Sequence, residues 1–474
     1  MPNALAMLML LIWPGICVWI LNRYPLERAI VWVLLGGLLI LPPLAAFDLP
    51  LVPSMDKFSI PSVTLLALLM FKLKLKVRYL PENRIAKWLV AVFVLSVVPT
   101  VFTNPDPVGF VFGALPGLGL RDLFSVIVSQ MIVLIPFVIG RQFMATDTGL
   151  REILLALMIG MLVYTIPSLI EIRFSPQINV WVYGFFQHDF EQMMRKGGFR
   201  PLVFLPHALW LAFFMLCAII STAALSRTVS AQDRPRYLLA LGYLFVVLVM
   251  CKSLASLGFA LVLTPLVLLG TRKMQIRAAF LAGVIAVTYP ILRNTGLIPL
   301  EDILARANAI DPLRAGSLAY RFNNEEQLLA RAAEKPWFGW GGWGRNLIRH
   351  YETGEILTIP DGRWIIVFGT FGWVGYIAEM GLLASPLMLL WQRTRRFARD
   401  RISPFVAPIA VILAATLMDM LLNATLTPYT WLCAGAVLGY AEKLKIRDPA
   451  PQPRQMFGDG PVLGKPRKSR QTAL

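Results

Sequence analysis

Apolar runs long enough to cross a bilayer recur along this chain from its first residues to position 440. A helix needs about 20 such residues to span the hydrocarbon core, and continuous rather than alternating apolarity excludes a barrel of strands. The runs fall at 4–21, 28–46, 59–72, 85–102, 121–140, 151–170, 202–225, 237–251, 253–270, 277–293, 364–391, 404–422 and 427–440. The pattern predicts an all-α polytopic membrane protein with about 12–13 transmembrane helices. Runs 237–251 and 253–270 are short, and only "CKSLAS" separates them, which predicts a hairpin with a buried turn. Charged residues make up 15% of the chain, against about 25% in soluble domains.

The formal charge of +18 follows from membrane topology rather than from a nucleic-acid partner, because basic residues collect in cytoplasmic loops. The loops 22–28, 72–87, 141–151, 226–237, 271–277 and 393–401, with the tail 441–474, hold 29 of the 45 lysines and arginines. That side is therefore expected to be cytoplasmic, with "KLKLKVR" (72–78) and "RTRRFARDR" (393–401) as its markers. The tail reads as a disordered basic segment. Cys17, Cys217, Cys251 and Cys433 lie in or beside apolar runs and read as small core residues. There are three histidines and neither HExxH nor CxxC, so no metal and no other cofactor is expected. The first apolar run reads as a span, not a removable signal.

The remaining charges divide the chain into segments. Residues 1–150 carry the N-terminal spans. Residues 151–293 carry further spans and the outer loop 171–200. Residues 294–363 form a large extracytoplasmic loop, and 364–440 hold the last spans. Nine of the 16 basic residues outside the cytoplasmic set lie in 293–363, and four more lie in 171–200. In the first loop, "RKGGFRP" (195–201) reads as a tight turn that brings Arg195, Lys196 and Arg200 to the membrane surface. Cations with backbone N–H groups there suit an anion, and equally suit simple snorkelling of long basic side chains.

The long loop contains two predicted amphipathic helices, "LEDILARANAI" (300–310) and "NNEEQLLARAAEK" (323–335). The second is read as opening on asparagine caps, with Arg321 just before it, and as stopping at Pro336. Next comes "KPWFGWGGWGRN" (335–346), with three tryptophans and four glycines in twelve residues. Trp337, Trp340 and Trp343 offer flat faces for a sugar ring or a lipid headgroup, and tryptophan also simply anchors at the interface. His350, Glu352, Glu355, Asp361 and Arg363 precede the next span. A carboxylate at Asp361 suits a general base for an acceptor hydroxyl, and suits equally an acid at a helix N-terminus.

Those residues carry a resemblance. "PWFGWGGWGRN", followed by a polar approach and "IIVFGTFGWVGYIAEMGLL", resembles the shared region of the O-antigen ligases and O-antigen polymerases. "GGFRPLVFLPHALW" and "VMCKSLASLGFALVL" are similar to two further segments of that family, so the likeness covers roughly residues 185–440. It implies a glycosyltransferase on the outer face of the bacterial cytoplasmic (inner) membrane. Its donor would be an undecaprenyl-pyrophosphate-linked glycan and its acceptor a glycan or a lipid, with no metal needed. By this likeness Arg321, Arg200 and Lys252 would bind the donor pyrophosphate, and Arg363 is a further candidate for it. Trp337, Trp340 and Trp343 would contact glycan or headgroup. Ligases usually carry a histidine before the span that follows the glycine–aromatic turn. Here "IPDG" stands there, so Asp361 is the first expectation for the base and His350 the second, and a polymerase-like member fits as well as a ligase. The rival reading is a transporter or flippase of lipid-linked glycans, for which Glu379 and Asp419, inside predicted spans, would serve as intramembrane carboxylates.

Overall fold

Apolar helices alternate with polar turns through the whole molecule. The structure, a computed structural model, describes residues 1–48, 53–195, 197–395 and 401–444. Lys196, most of the basic segment 393–401, and the tail beyond 444 lie outside the described residues. The helices are α1 (Ala4–Arg23), α2 (Leu26–Ile40), α3 (Ser59–Ala67, continued by a π-helical turn Leu68–Lys72), α4 (Arg84–Leu95), α5 (Val97–Phe102), α6 (Leu120–Phe143), α7 (Asp147–Phe174), α8 (Ile178–Tyr183) and α9 (Ala208–Ser226). They continue as α10 (Arg234–Met250), α11 (Leu254–Leu269), α12 (Arg272–Asn294), α13 (Leu300–Ile310), α14 (Pro312–Ala333), α15 (Arg363–Thr394), α16 (Val406–Asp419) and α17 (Pro428–Lys443). Three two-stranded hairpins decorate the loops among the described residues. This is the build of an all-α polytopic membrane protein.

Contacts between loops group them as the charge count does. Arg28 pairs with Glu152, Arg141 with Glu442, and Arg272 donates to the Ile402 carbonyl, all at one end of the bundle. At the other end Asn3 meets Tyr183, Tyr183 meets the Ile40 carbonyl, and Lys335 reaches Thr103 and Asn104. We call these the basic end and the cap end. The central helix is α9, with 17 of 19 residues buried, as expected of a helix apolar on every side.

Seven helices among the described residues are long and apolar enough to cross a membrane. The others in the expected count are shorter, and four of them shape the site. Helices α10, α11, α16 and α17 have 17, 16, 14 and 16 residues, so each rises about 21–26 Å against a core of about 30 Å. Helices α10 and α16 leave the basic end and stop early, and α11 and α17 return to it. Gly140 of α6 packs on the backbone of α17 at Leu432, and Gly435 packs on Phe137, so the two helices touch along the last part of α6. Thr427 and Pro428 line one cavity with Ile132 and Pro136, about 18 Å along α6 from its first residue. The turn 420–427 therefore lies inside the bundle, and the start of α11 at Leu254 lines one cavity with Leu422 and Asn423 of that turn.

The expected span 364–391 is also not a simple crossing. Arg363 and Glu379 form a two-pronged ion pair at 2.7 Å although sixteen residues separate them, about 24 Å in a straight helix. Gly372, with φ 64° and ψ −162°, breaks α15 so that 363–371 folds back along 373–380. Two further expectations change. The helix with Asn323 and Asn324 begins at Pro312, so both asparagines are interior and Arg321 lies within α14. Asn324 is tolerated there because its Oδ1 accepts the Ile359 N–H at 3.0 Å. The span expected from 202 starts at Ala208, because the Glu171 carboxylate holds the N–H groups of Leu202 and Val203 in an irregular turn.

Candidate functional site in the recess

The fold-back at Gly372 explains the glycine–tryptophan stretch. A broken helix leaves carbonyls and N–H groups without partners, and buried ones must find them. Trp340 N and Gly341 N donate to the Gly369 and Thr370 carbonyls, both at 2.9 Å. Trp373 N and Val374 N donate to the Pro336 and Trp337 carbonyls, at 2.8 and 3.2 Å. The turn thus completes the broken helix strand-fashion. Gly339 packs on the Thr370 backbone and Gly372 on the Trp337 backbone, where a Cβ on either would fall on that carbonyl group. Trp340 lies beneath the Arg331 guanidinium, 3.4 Å from ring centre, and its Nε1 donates to the Arg331 carbonyl. Trp337 and Trp343 point outward and are about two-thirds exposed.

Below this turn, polar groups gather on the 420–427 turn. Asp419 accepts from Asn423 Nδ2 at 2.9 Å and Thr425 Oγ1 at 2.6 Å. Arg321 Nη1 donates to the Leu422 carbonyl at 2.9 Å and Asn423 Oδ1 at 3.2 Å, while its Nε faces Asp361 at 3.6 Å. Arg363 N donates to the Met420 carbonyl. Arg321, Asp361 and Glu325 line one small cleft. Burial raises the Asp361 pKa above the ordinary carboxylate range, with Arg321 opposing. Burial also pushes Glu325 up to about 7, against the pull of Arg293 at 3.7 Å.

The 195–207 loop brings further cations. Glu171 accepts three backbone N–H groups, from Ile178, Leu202 and Val203, and so fixes the turn that follows Arg200. Lys252, at φ 54°, donates through Nζ to the Arg195 carbonyl at 2.6 Å, and Gly198 leaves the room its ammonium needs. His207 caps α9 by accepting the Leu209 N–H on Nδ1, and its ring meets His188 edge to face at 4.4 Å. Burial pushes the His207 pKa down to about 3, and His188, Arg200, Arg321 and Arg195 push the same way. A neutral imidazole that accepts on Nδ1 carries its proton on Nε2, so His207 is a donor there, not a base.

Arg321 and Asp361 thus share one cleft, while Lys252 is held against the Arg195 carbonyl. Arg363 lies beside the cleft, its Nε and Nη2 committed to Glu379. His350 is placed elsewhere: its Nδ1 caps its own turn at Glu352 and Thr353, next to Tyr351. Of the tryptophans, Trp340 is structural. Sequence reasoning missed His207, Glu171, Glu325 and the Asn423–Thr425 turn. "LPHALW" did hold a signal, a polar residue directly before an apolar run, the usual place of a helix cap. No cluster of three metal-binding side chains occurs among the described residues. Compared with family models and with curated proteins, the chain matches none.

The His207 shift has a measurable consequence. A folded-state pKa below the ordinary 6.5 gives stability that is complete above pH 6.5 and lost as pH falls toward 3. Lowering pH from 7 to 5 should cost about 1–2 kcal/mol, after discounting for partial exposure. His207→Asn keeps an acceptor for Leu209 N and does not titrate. Melting of the purified protein in detergent should show the acid loss in wild type and a smaller one in the variant. Equal acid losses would mean that His207 titrates normally.

Proposed function

We propose that this chain is a glycosyltransferase of the O-antigen ligase and polymerase kind. It would act on the outer face of a bacterial cytoplasmic membrane, with the cap end outside, and take its glycan from an undecaprenyl-pyrophosphate donor. The observation that carries the reading is the Arg321 guanidinium facing Asp361 at 3.6 Å in one cleft, with Lys252 Nζ held by the Arg195 carbonyl in the neighbouring basic loop. A pyrophosphate that gains charge as its glycosidic bond breaks needs fixed cations in a water-poor place. In the step, the acceptor oxygen bonds the anomeric carbon as the carbon–phosphate oxygen bond breaks. The electron pair goes to the pyrophosphate, and the hydroxyl proton goes to Asp361. One direct displacement inverts the sugar carbon. Burial, which raises the Asp361 pKa above the ordinary carboxylate range, makes it a stronger base than an exposed aspartate.

A transporter reading depends on mobile intramembrane carboxylates. Glu379 is held by Arg363, and Asp419 by Asn423 and Thr425, which weighs against it. Asp361→Asn tests the transferase reading: turnover should drop by about 10²–10⁴, the usual worth of a general base, with donor binding retained. Unchanged turnover would remove Asp361 from the chemistry, and lost binding would make its role structural.

A further inference from the structure

Between α5 and α6, at the cap end, runs "PVGFVFGALPGLGL" (107–120), fourteen residues without one polar side chain. Loops that meet water are polar as a rule, so this composition calls for a physical cause. The segment folds as a two-stranded hairpin, Val108–Phe110 against Gly113–Leu115. Its base is fixed. Leu118 N donates to the Asn104 carbonyl at 2.9 Å, and Arg345 donates to the Asp106 and Pro116 carbonyls. The cap steadies one side, since Val111 N and Phe112 N donate to the Tyr351 and Glu352 carbonyls and Phe110 packs over Gly354. The tip itself stays open: Val111 and Phe112 are exposed, Phe112 at 80%.

The neighbouring helices show what lies against it. Phe102 ends α5 and Leu120 begins α6, and both are exposed. From Leu120 the exposed apolar residues continue as Phe124, Val128 and Met131, three or four apart. They share one face of a helix long and apolar enough to cross a membrane, so that face meets lipid. The hairpin is rooted at its upper end. Tyr351, exposed beside the tip, is of a type that favours the membrane–water boundary.

We infer that this hairpin is an interfacial anchor, docked on the cap-end leaflet of the bilayer with Val111 and Phe112 just below the headgroups. Its depth is limited by its backbone, because an open strand edge does not enter the hydrocarbon core. An apolar tip in the boundary layer, with the strands at headgroup level, satisfies both side chains and backbone. Continuity with the lipid-facing side of α6 favours the bilayer over a protein partner. The inference does not depend on the transferase reading.

Gly109 offers a reporter position, because a Cβ there meets no atom within 4 Å. Cys17, Cys217, Cys251 and Cys433 are buried, so a nitroxide reagent is directed to an introduced cysteine. Gly109→Cys and Phe112→Cys are labelled separately and placed in single-copy nanodiscs of phosphatidylcholine and phosphatidylglycerol. Power-saturation electron paramagnetic resonance then compares collisions with oxygen, which concentrates in lipid, and with a nickel chelate, which stays in water. Both labels should favour oxygen, the one at 112 more strongly. A label at Glu301→Cys, exposed on α13, should favour the chelate. A nitroxide is itself apolar, so the decisive variant is Phe112→Asp read from the Gly109 label. A charge at the tip should shift that label toward the chelate at an unchanged melting temperature, since Phe112 packs little. Hairpin labels that favour the chelate would place the loop in water, and labels shielded from both reagents would place it under protein. Either result overturns the inference, as does an unmoved label in Phe112→Asp.

Discussion

Replacing Gly372 with alanine should cost about 2–6 kcal/mol and leave little properly folded protein. Two effects add. The φ/ψ pair of 64° and −162° lies in a region open essentially to glycine alone, worth about 1–3 kcal/mol. The new Cβ would also fall on the Trp337 carbonyl, and backbone cannot swing aside as a side chain does, worth a further 1–3 kcal/mol or so. Gly242→Ala and Gly316→Ala, where a Cβ meets nothing within 4 Å, should melt like wild type. The measurement is thermal unfolding in detergent, with size-exclusion behaviour as a check. A Gly372→Ala protein that melts with wild type would mean that the fold-back does not depend on this residue.

The second large effect is on rate. Arg321→Ala should slow glycan transfer by about 10²–10³, as loss of one fixed cation facing a developing anion does. Arg321 also braces the 420–427 turn, so lost activity alone is ambiguous. Arg321→Lys resolves this. It keeps the charge but not the planar fork that reaches Leu422 and Asn423 together. A stabilising charge predicts partial activity in the lysine variant and almost none in the alanine variant, at equal expression and melting temperature. Equal loss in both, with lowered melting temperature, would make Arg321 a brace only. Wild-type rates in the alanine variant would remove its role altogether.

Much of the fold was legible because lipid imposes a simple rule: apolar runs become helices, and basic loops share an end. The sequence could not show which runs stop short. α16 and α17 look like ordinary spans until the packing of Gly140, Gly435 and Gly439 fixes where α17 lies along α6. The fold-back at Gly372 was hidden for the same reason. "FGTFGWVG" reads as helix, and only its partner "PWFGWGGWG", some thirty residues earlier, supplies the hydrogen bonds that let it break. The tryptophans drew attention to the right segment, but the glycines explain it.

Single residues drew attention, but their partners did not. Arg200, Lys252 and Arg321 stood out as cations on the wrong side for topology, and only the structure shows Lys252 on the Arg195 carbonyl and Arg321 on the 420–427 turn. His207 escaped notice because a histidine before an apolar run is also a good helix cap, and it is one here. Glu325 sits in a helix that reads as solvated, and only its neighbours Arg293 and Tyr289 reveal its burial. Distances between loops far apart in sequence have no local signal.

The most direct measurement is transfer by the purified protein in proteoliposomes, supplied with an undecaprenyl-pyrophosphate oligosaccharide and read by mass spectrometry. Candidate glycan and lipid acceptors are added in turn. The account predicts free undecaprenyl pyrophosphate together with an elongated glycan or a glycosylated acceptor, without added metal. A donor that stays intact with every acceptor yet changes leaflet would contradict it and mark the protein as a transporter.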